Sequence, residues 1–283
     1  MTNQYKGKIL RALGYICGLL LFFAPFSFYQ RTIIYLFNIS NTPTIHAMCL
    51  RTPLVFLING DLQHVFTLSF FSFSLLMVVT LFHGPFFCGK LCPVGALPEY
   101  FSRLIPSKLQ FDWYRYISPQ AARYGFFAGF LLSPYFGGTI AHVYCNFNLM
   151  EKLLFLGSDQ AVEGYFSSTI ITLFIWLVLF GFFTRGGRGY CNYFCPVGAM
   201  QSLVYMMGIR LGLAAMFRIE PLHCSSCQQC RKQCPVGAID TSLTIDTSFC
   251  ITCGACQTTC PHQAISFMKA HSHSLTTVEK VLP

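Results

Sequence analysis

Charge is what this sequence has least of. Asp, Glu, Lys and Arg make up 10% of its 283 residues, against about 25% in an average soluble chain. With 54% hydrophobic residues, that imbalance points to a bilayer. A basic stripe is also missing: the formal charge of +9 is scattered between apolar segments with no aromatic-basic pattern, which excludes nucleic acid as the partner. No A-x-A-like cleavage site follows the first apolar run, so that run reads as a retained helix rather than a signal peptide. The chain has no C-x-x-C-H motif for haem attachment, no charges deep within its apolar runs that would mark a transporter's ion path, and no output domain of a sensor.

Cysteine, by contrast, is abundant, with 15 in the chain. Most fall at short regular spacings that suit metal rather than disulfides, so iron-sulfur clusters facing a reducing compartment are expected. From Cys224 the chain reads CSSCQQCRKQCP and from Cys250 CITCGACQTTCP, two copies of C-x2-C-x2-C-x3-C-P offset by 26 residues. This is the bacterial two-cluster ferredoxin signature, in which each fourth Cys ligates the other cluster. It assigns Cys224, Cys227, Cys230 and Cys260 to one 4Fe-4S cluster and Cys250, Cys253, Cys256 and Cys234 to a second.

Four stretches approach the roughly 20 apolar residues of a membrane span: Ile9 to Tyr29, Val65 to Phe87, Ala121 to Tyr144 and Ser167 to Phe183. Lys6, Lys8 and Arg11 precede the first. Lys90, Arg103, Lys108 and Arg115 lie between the second and third, and Arg185 and Arg188 follow the fourth. The positive-inside rule then places both termini and the ferredoxin tail in the cytoplasm, with Arg11 and Arg123 snorkelling at span ends. Residues 203–217, apolar but short, read as a helix lying in the interface.

Half of the ferredoxin motif recurs twice before the tail: FCGKLCPVGAL at 87–97 and YCNYFCPVGAM at 190–200. Cys88, Cys92, Cys191 and Cys195 together offer four thiolates, open to three readings: a third cluster, a redox-active cysteine pair, or packing of the tail. A second repeat, HAMC at His46–Cys49 and HVYC at His142–Cys145, falls in the outer loops. There Cys49 and Cys145 suit a disulfide, His46, Cys49, His142 and Cys145 a metal site, or all four plain packing. The expected fold is therefore an α-helical membrane protein of four transmembrane helices, built as a duplicated two-helix unit, with a C-terminal α+β two-cluster ferredoxin-like domain. Its expected domains are 1–200 in the membrane, 201–219 as an interfacial linker helix, 220–268 as the ferredoxin, and 269–283 as a polar tail.

The two CxxxCP motifs followed by the double ferredoxin tail resemble the NapH/MauN-type family of membrane ferredoxin-like quinol dehydrogenase components. That resemblance implies a multi-pass protein of the bacterial inner membrane that contacts lipid, oxidises quinol, and passes electrons between the quinone pool and a periplasmic reductase system through redox partner subunits. His64, Asp61, His142 and Glu151 on the outer side, or His83 and Glu99 on the inner side, are the candidate proton acceptors. The alternative is a redox factor for the maturation of a periplasmic metalloenzyme.

Overall fold

The computed structural model describes residues 2–22, 26–37, 60, 68–132, 135 and 168–269. The outer HxxC motifs with His46, Cys49, His142 and Cys145 lie outside the described residues, as do Asp61, His64, Glu151 and everything beyond Lys269.

Among the described residues, no helix is long and apolar enough to cross a membrane. This overturns the expected four-span fold and, with it, the inner-membrane, multi-pass placement that put both termini in the cytoplasm. The physical reason lies in helix length and composition. Helix α1 (Thr2–Phe22) is 21 residues long, but its first three turns carry Lys6, Lys8 and Arg11. In the other three expected spans the described helices are α3 (Leu68–His83, 16 residues), α5 (Pro119–Leu132, 14 residues) and α6 (Ser168–Leu177, 10 residues). At 1.5 Å per residue even α3 reaches only about 24 Å, short of the roughly 30 Å of hydrocarbon. Helix α6 runs on directly into a π-helical segment, Val178–Phe182.

The remaining helices of this helical part are α2 (Phe28–Phe37), α4 (Pro93–Ser102), α7 (Gly189–Tyr193) and α8 (Pro196–Arg210). Residues 203–217 do not form one helix: α8 ends at Arg210, and strand β1 (Ala215–Ile219) begins after a turn. Nor does α8 lie on a surface, because Gln201, Ser202, Tyr205 and Ile209 are all buried. It packs against α3 and α5, while α1 packs against α4 and the π-helical segment Phe87–Leu91 that carries Cys88.

The two CxxxCP copies meet in one apolar core. Val94 and Val197, which hold the same position in the PVGA segments of the two copies, are buried together with Leu76, Phe87 and Cys92, and Cys88 and Cys195 pack against them. Around the second copy, Trp176, Phe180 and Phe194 interlock, with the Trp176 and Phe194 rings 4.4 Å apart at their centroids and edge to face, a favoured geometry for aromatic pairs.

The tail adds β1 paired antiparallel with β2 (Ile265–Lys269), Phe217 opposite Phe267. Two short helices, α9 (Gln229–Gln233) and α10 (Ala255–Thr259), follow the two cysteine loops.

Candidate iron-sulfur centres

Every Cys-Pro in the chain has one backbone shape. Cys92, Cys195, Cys234 and Cys260 have φ between −75° and −68° and ψ between 107° and 115°. Proline clashes with an α-conformation in the residue before it, so each cysteine ends the helical turn that precedes it. At Cys92 and Cys195 the proline then opens a new helix as its first residue, the position where its missing N–H costs nothing. The segment after the proline caps the sulfur: Gly198 N–H donates to Cys195 Sγ at 3.5 Å and Ala238 N–H to Cys234 Sγ at 3.3 Å.

In the tail, Cys224, Cys227, Cys230 and Cys260 line one cavity. Cys234, Cys250, Cys253 and Cys256 line a second. The two loops share their backbone as well as their spacing. Ser226 and Thr252, Gln228 and Gly254, and Gly237 and Gln263 form three pairs, each 26 residues apart, and all six residues have positive φ. Alternating handedness of this kind turns successive N–H groups inward, a concavity suited to the sulfur atoms of an anionic cluster.

The third cavity lies where the two CxxxCP copies meet and is lined by Cys88, Cys92, Cys191 and Cys195. Arg123, Arg188, Phe87, Val94 and Phe249 complete much of its wall. Burial pushes the Cys92 thiol up to about 11 and the Cys195 thiol to about 12. Cys88 and Cys191 are raised for the same reason, with Arg188 pulling Cys191 back in part. Cys234 also rises to about 12 by burial. Cys227, on the exposed rim of the first tail cavity, is lowered, chiefly by the backbone N–H of Gln229.

Among the described residues, no three His, Cys, Asp or Glu side chains converge as a single metal ion requires. A cubane places each thiolate on a different iron, so cysteines spread around a cavity wall fit a cluster better than they fit tetrahedral zinc. The donor sets present in all three cavities therefore suit iron-sulfur clusters.

Beside the third cavity lies a buried ionic knot that the sequence reading missed. Glu99 is fully buried and accepts from Arg188 Nε at 2.9 Å, Arg11 Nη2 at 3.0 Å and Arg103 Nη2 at 2.6 Å. Burial opposes its ionisation, but the guanidinium groups of Arg188, Arg11 and Arg103 outweigh that and hold the carboxyl below its usual range. Glu99 is thus a fixed carboxylate, unsuited to the role of proton acceptor. Tyr15 closes the knot: its hydroxyl donates to Gly89 O at 2.7 Å and accepts from Arg11 and Arg188, each at 2.8 Å. Arg11 and Arg123 do not snorkel, since both are buried. The available signal was the presence of arginines inside otherwise apolar surroundings, with Arg188 only three residues before Cys191.

Asn192 ties the tail to this body. Its Nδ2 donates to Val236 O and to Tyr114 OH, both at 2.9 Å, and its Oδ1 accepts from Arg123 at 2.8 Å. Arg123 Nη1 in turn reaches Ser248 O at 2.8 Å.

Comparison with known proteins agrees with this chemistry. A family described as "4Fe-4S binding domain" matches residues 65–112 and again 168–214, each match enclosing one CxxxCP motif. A second, also described as "4Fe-4S binding domain", matches residues 243–266. The chain therefore carries 4Fe-4S binding domains. Its domains are consistent with the NapH-like family that its sequence resembles. It is 29% identical over 166 residues to Protein NirI of Paracoccus denitrificans (strain Pd 1222), covering 54% of this chain and 21% of that one. It is 25% identical over 203 residues to the putative electron transport protein YccM of Escherichia coli (strain K12), covering 63% of this chain and 49% of that one. The chain thus spans from about a fifth to about half the length of these relatives. No solved structure matches it.

Proposed function

We propose that this chain relays electrons through three iron-sulfur centres: the outer tail site at Cys227, the inner tail site at Cys253, and the four-thiol cavity between the CxxxCP copies. The observation that carries the reading is a shared wall. Cys250 and Ile251 line both the inner tail cavity and the central one, and Cys88 packs with Cys234, Cys250 and Cys253 against the cluster of Val236, Ala238 and Ile251. An iron-sulfur cluster, when bound, takes up and releases single electrons at a potential set by its surroundings. The chain's own residues hold the thiols in place, shield them from water, and keep the sites in sequence.

The donor is a quinol and the eventual acceptor a periplasmic reductase system reached through a redox partner. The NapH-like resemblance supports this part.

Iron quantification tests the relay. Replacing Cys88, Cys92, Cys191 and Cys195 together by Ser should remove about one third of the iron if each centre is a cubane; unchanged iron sinks the central site. Anaerobic EPR on the unsubstituted protein tests the donor. Signals on adding a quinol analogue support it, and signals only with dithionite overturn it.

A further inference from the structure

The interior beside the central cavity holds more positive than negative charge. Arg188, Arg123 and Arg11 are buried there, while Glu99 is the one buried carboxylate among the described residues. Arg188 and Arg11 both bind it. Arg123 has no carboxylate among the described residues: its guanidinium donates to the carbonyl oxygens of Asn192 and Ser248 and to Asn192 Oδ1. The cavity wall includes Arg123 and Arg188 but no Asp or Glu. A buried cation without a counter-charge is costly, so this excess calls for an anion in the cavity. A cluster is such an anion, because its four thiolates outweigh the positive charge of the iron and sulfide they surround.

Arg188 is aimed at that position. Its Nη1 donates to Cys88 O at 2.7 Å, its Nε and Nη2 are fixed by Glu99 and Tyr15, and its side chain is wholly buried. Gly95 keeps the space open: a Cβ there would press on the Arg188 guanidinium and come within 3.3 Å of Cys191 Sγ.

We propose that Arg188, clamped by Glu99 and Tyr15, is the positioning residue that sets the reduction potential of a cluster held by Cys88, Cys92, Cys191 and Cys195, with Arg123 as a second counter-charge. The proposal rests on the reading of this cavity as a third centre. In the step concerned, one electron from the donor enters the cluster and the donor is oxidised by one electron, while Arg188 keeps its proton throughout. A fixed positive charge favours the more negative, reduced state, so its removal favours the oxidised one.

The test is an EPR-monitored redox titration of the full chain with dithionite, anaerobically, on the unsubstituted protein, Arg188→Gln and Arg188→Lys. We expect Arg188→Gln to shift one centre at least tenfold toward its oxidised form, about 59 mV lower for a one-electron couple. The other two centres should hold their potentials, and Arg188→Lys should recover most of the shift. An unshifted third centre in a fully loaded Arg188→Gln protein overturns the role of Arg188 while leaving the third centre standing. Absence of a third centre from the unsubstituted protein overturns both. Should Arg188→Gln not load, Arg123→Gln carries the test with the same sign, and an unchanged potential there overturns the proposal.

Discussion

Gly89, one residue past Cys88, lies against the carbonyl oxygen of Ile251, one residue past Cys250, so closely that no side chain fits between them. A Cβ on Gly89 would also come within 3.0 Å of the Cys253 backbone. The inner tail site is thereby pressed onto the first CxxxCP copy. Gly89→Ala should force the two backbones apart at a cost of about 1–3 kcal/mol, typical of overpacking. Denaturant unfolding measures the loss, and limited proteolysis should show the tail cleaved sooner than in the unsubstituted protein.

Glu99→Gln should destabilise more severely, by about 3–5 kcal/mol, because it strands buried guanidinium groups without their counter-charge. Since Glu99 is held below its usual range, its contribution is complete above about pH 4.3, the ordinary Glu value, and is lost as pH falls through the depressed folded value. The difference between the two proteins in thermal melts should therefore shrink in acid and be constant at neutral pH.

The buried thiols give the opposite dependence. Cys92 and Cys195 titrate at about 11 and about 12 in the folded chain, above the ordinary thiol value of about 8.5. Their burial as neutral thiols stabilises the iron-free chain fully below about pH 8.5, and that stabilisation is lost as pH rises toward the folded values. Denaturation midpoints of iron-free protein should fall between pH 9 and 11, and the paired Ser substitutions should flatten the slope. By the same reasoning, iron loading of these thiols must release protons, which a weakly buffered reconstitution would register as acidification.

Asn192→Ala removes the bonds to Val236 O, Tyr114 OH and Arg123. Leaving those buried partners unsatisfied should cost about 1–3 kcal/mol. Asn192→Asp makes a sharper comparison: it keeps the acceptor for Arg123 but loses the donor to Val236. If denaturant unfolding shows Asn192→Asp no more stable than Asn192→Ala, the bond to the tail is what matters.

The tail was the most legible part of the chain, because ligand spacing and the Cys-Pro stop act over a few residues and leave their mark in the sequence. The grouping of Cys88 and Cys92 with Cys191 and Cys195 was legible as a repeat. The apolar runs misled for a physical reason: hydropathy reports a preference for burial and does not say whether lipid or protein does the burying. In the run from Ala121, Phe126 and Phe127 do not share one environment: Phe127 is buried and Phe126 packs edge to face on Phe194. The knot of Arg11, Glu99 and Arg188 was not legible because its members are far apart in the chain, up to 89 residues in the Arg188–Glu99 bond, and no local pattern encodes such a meeting.

The three cavities differ in how far they stand from air. Cys227 is exposed, whereas Cys92 at the central cavity is buried. Oxygen and peroxide meet the outer tail site first and must pass the protein's packed interior to reach the central one. Wear should accordingly run inward. Iron per chain measured during aeration should fall in steps, with the centre beside Arg188 the last to be lost.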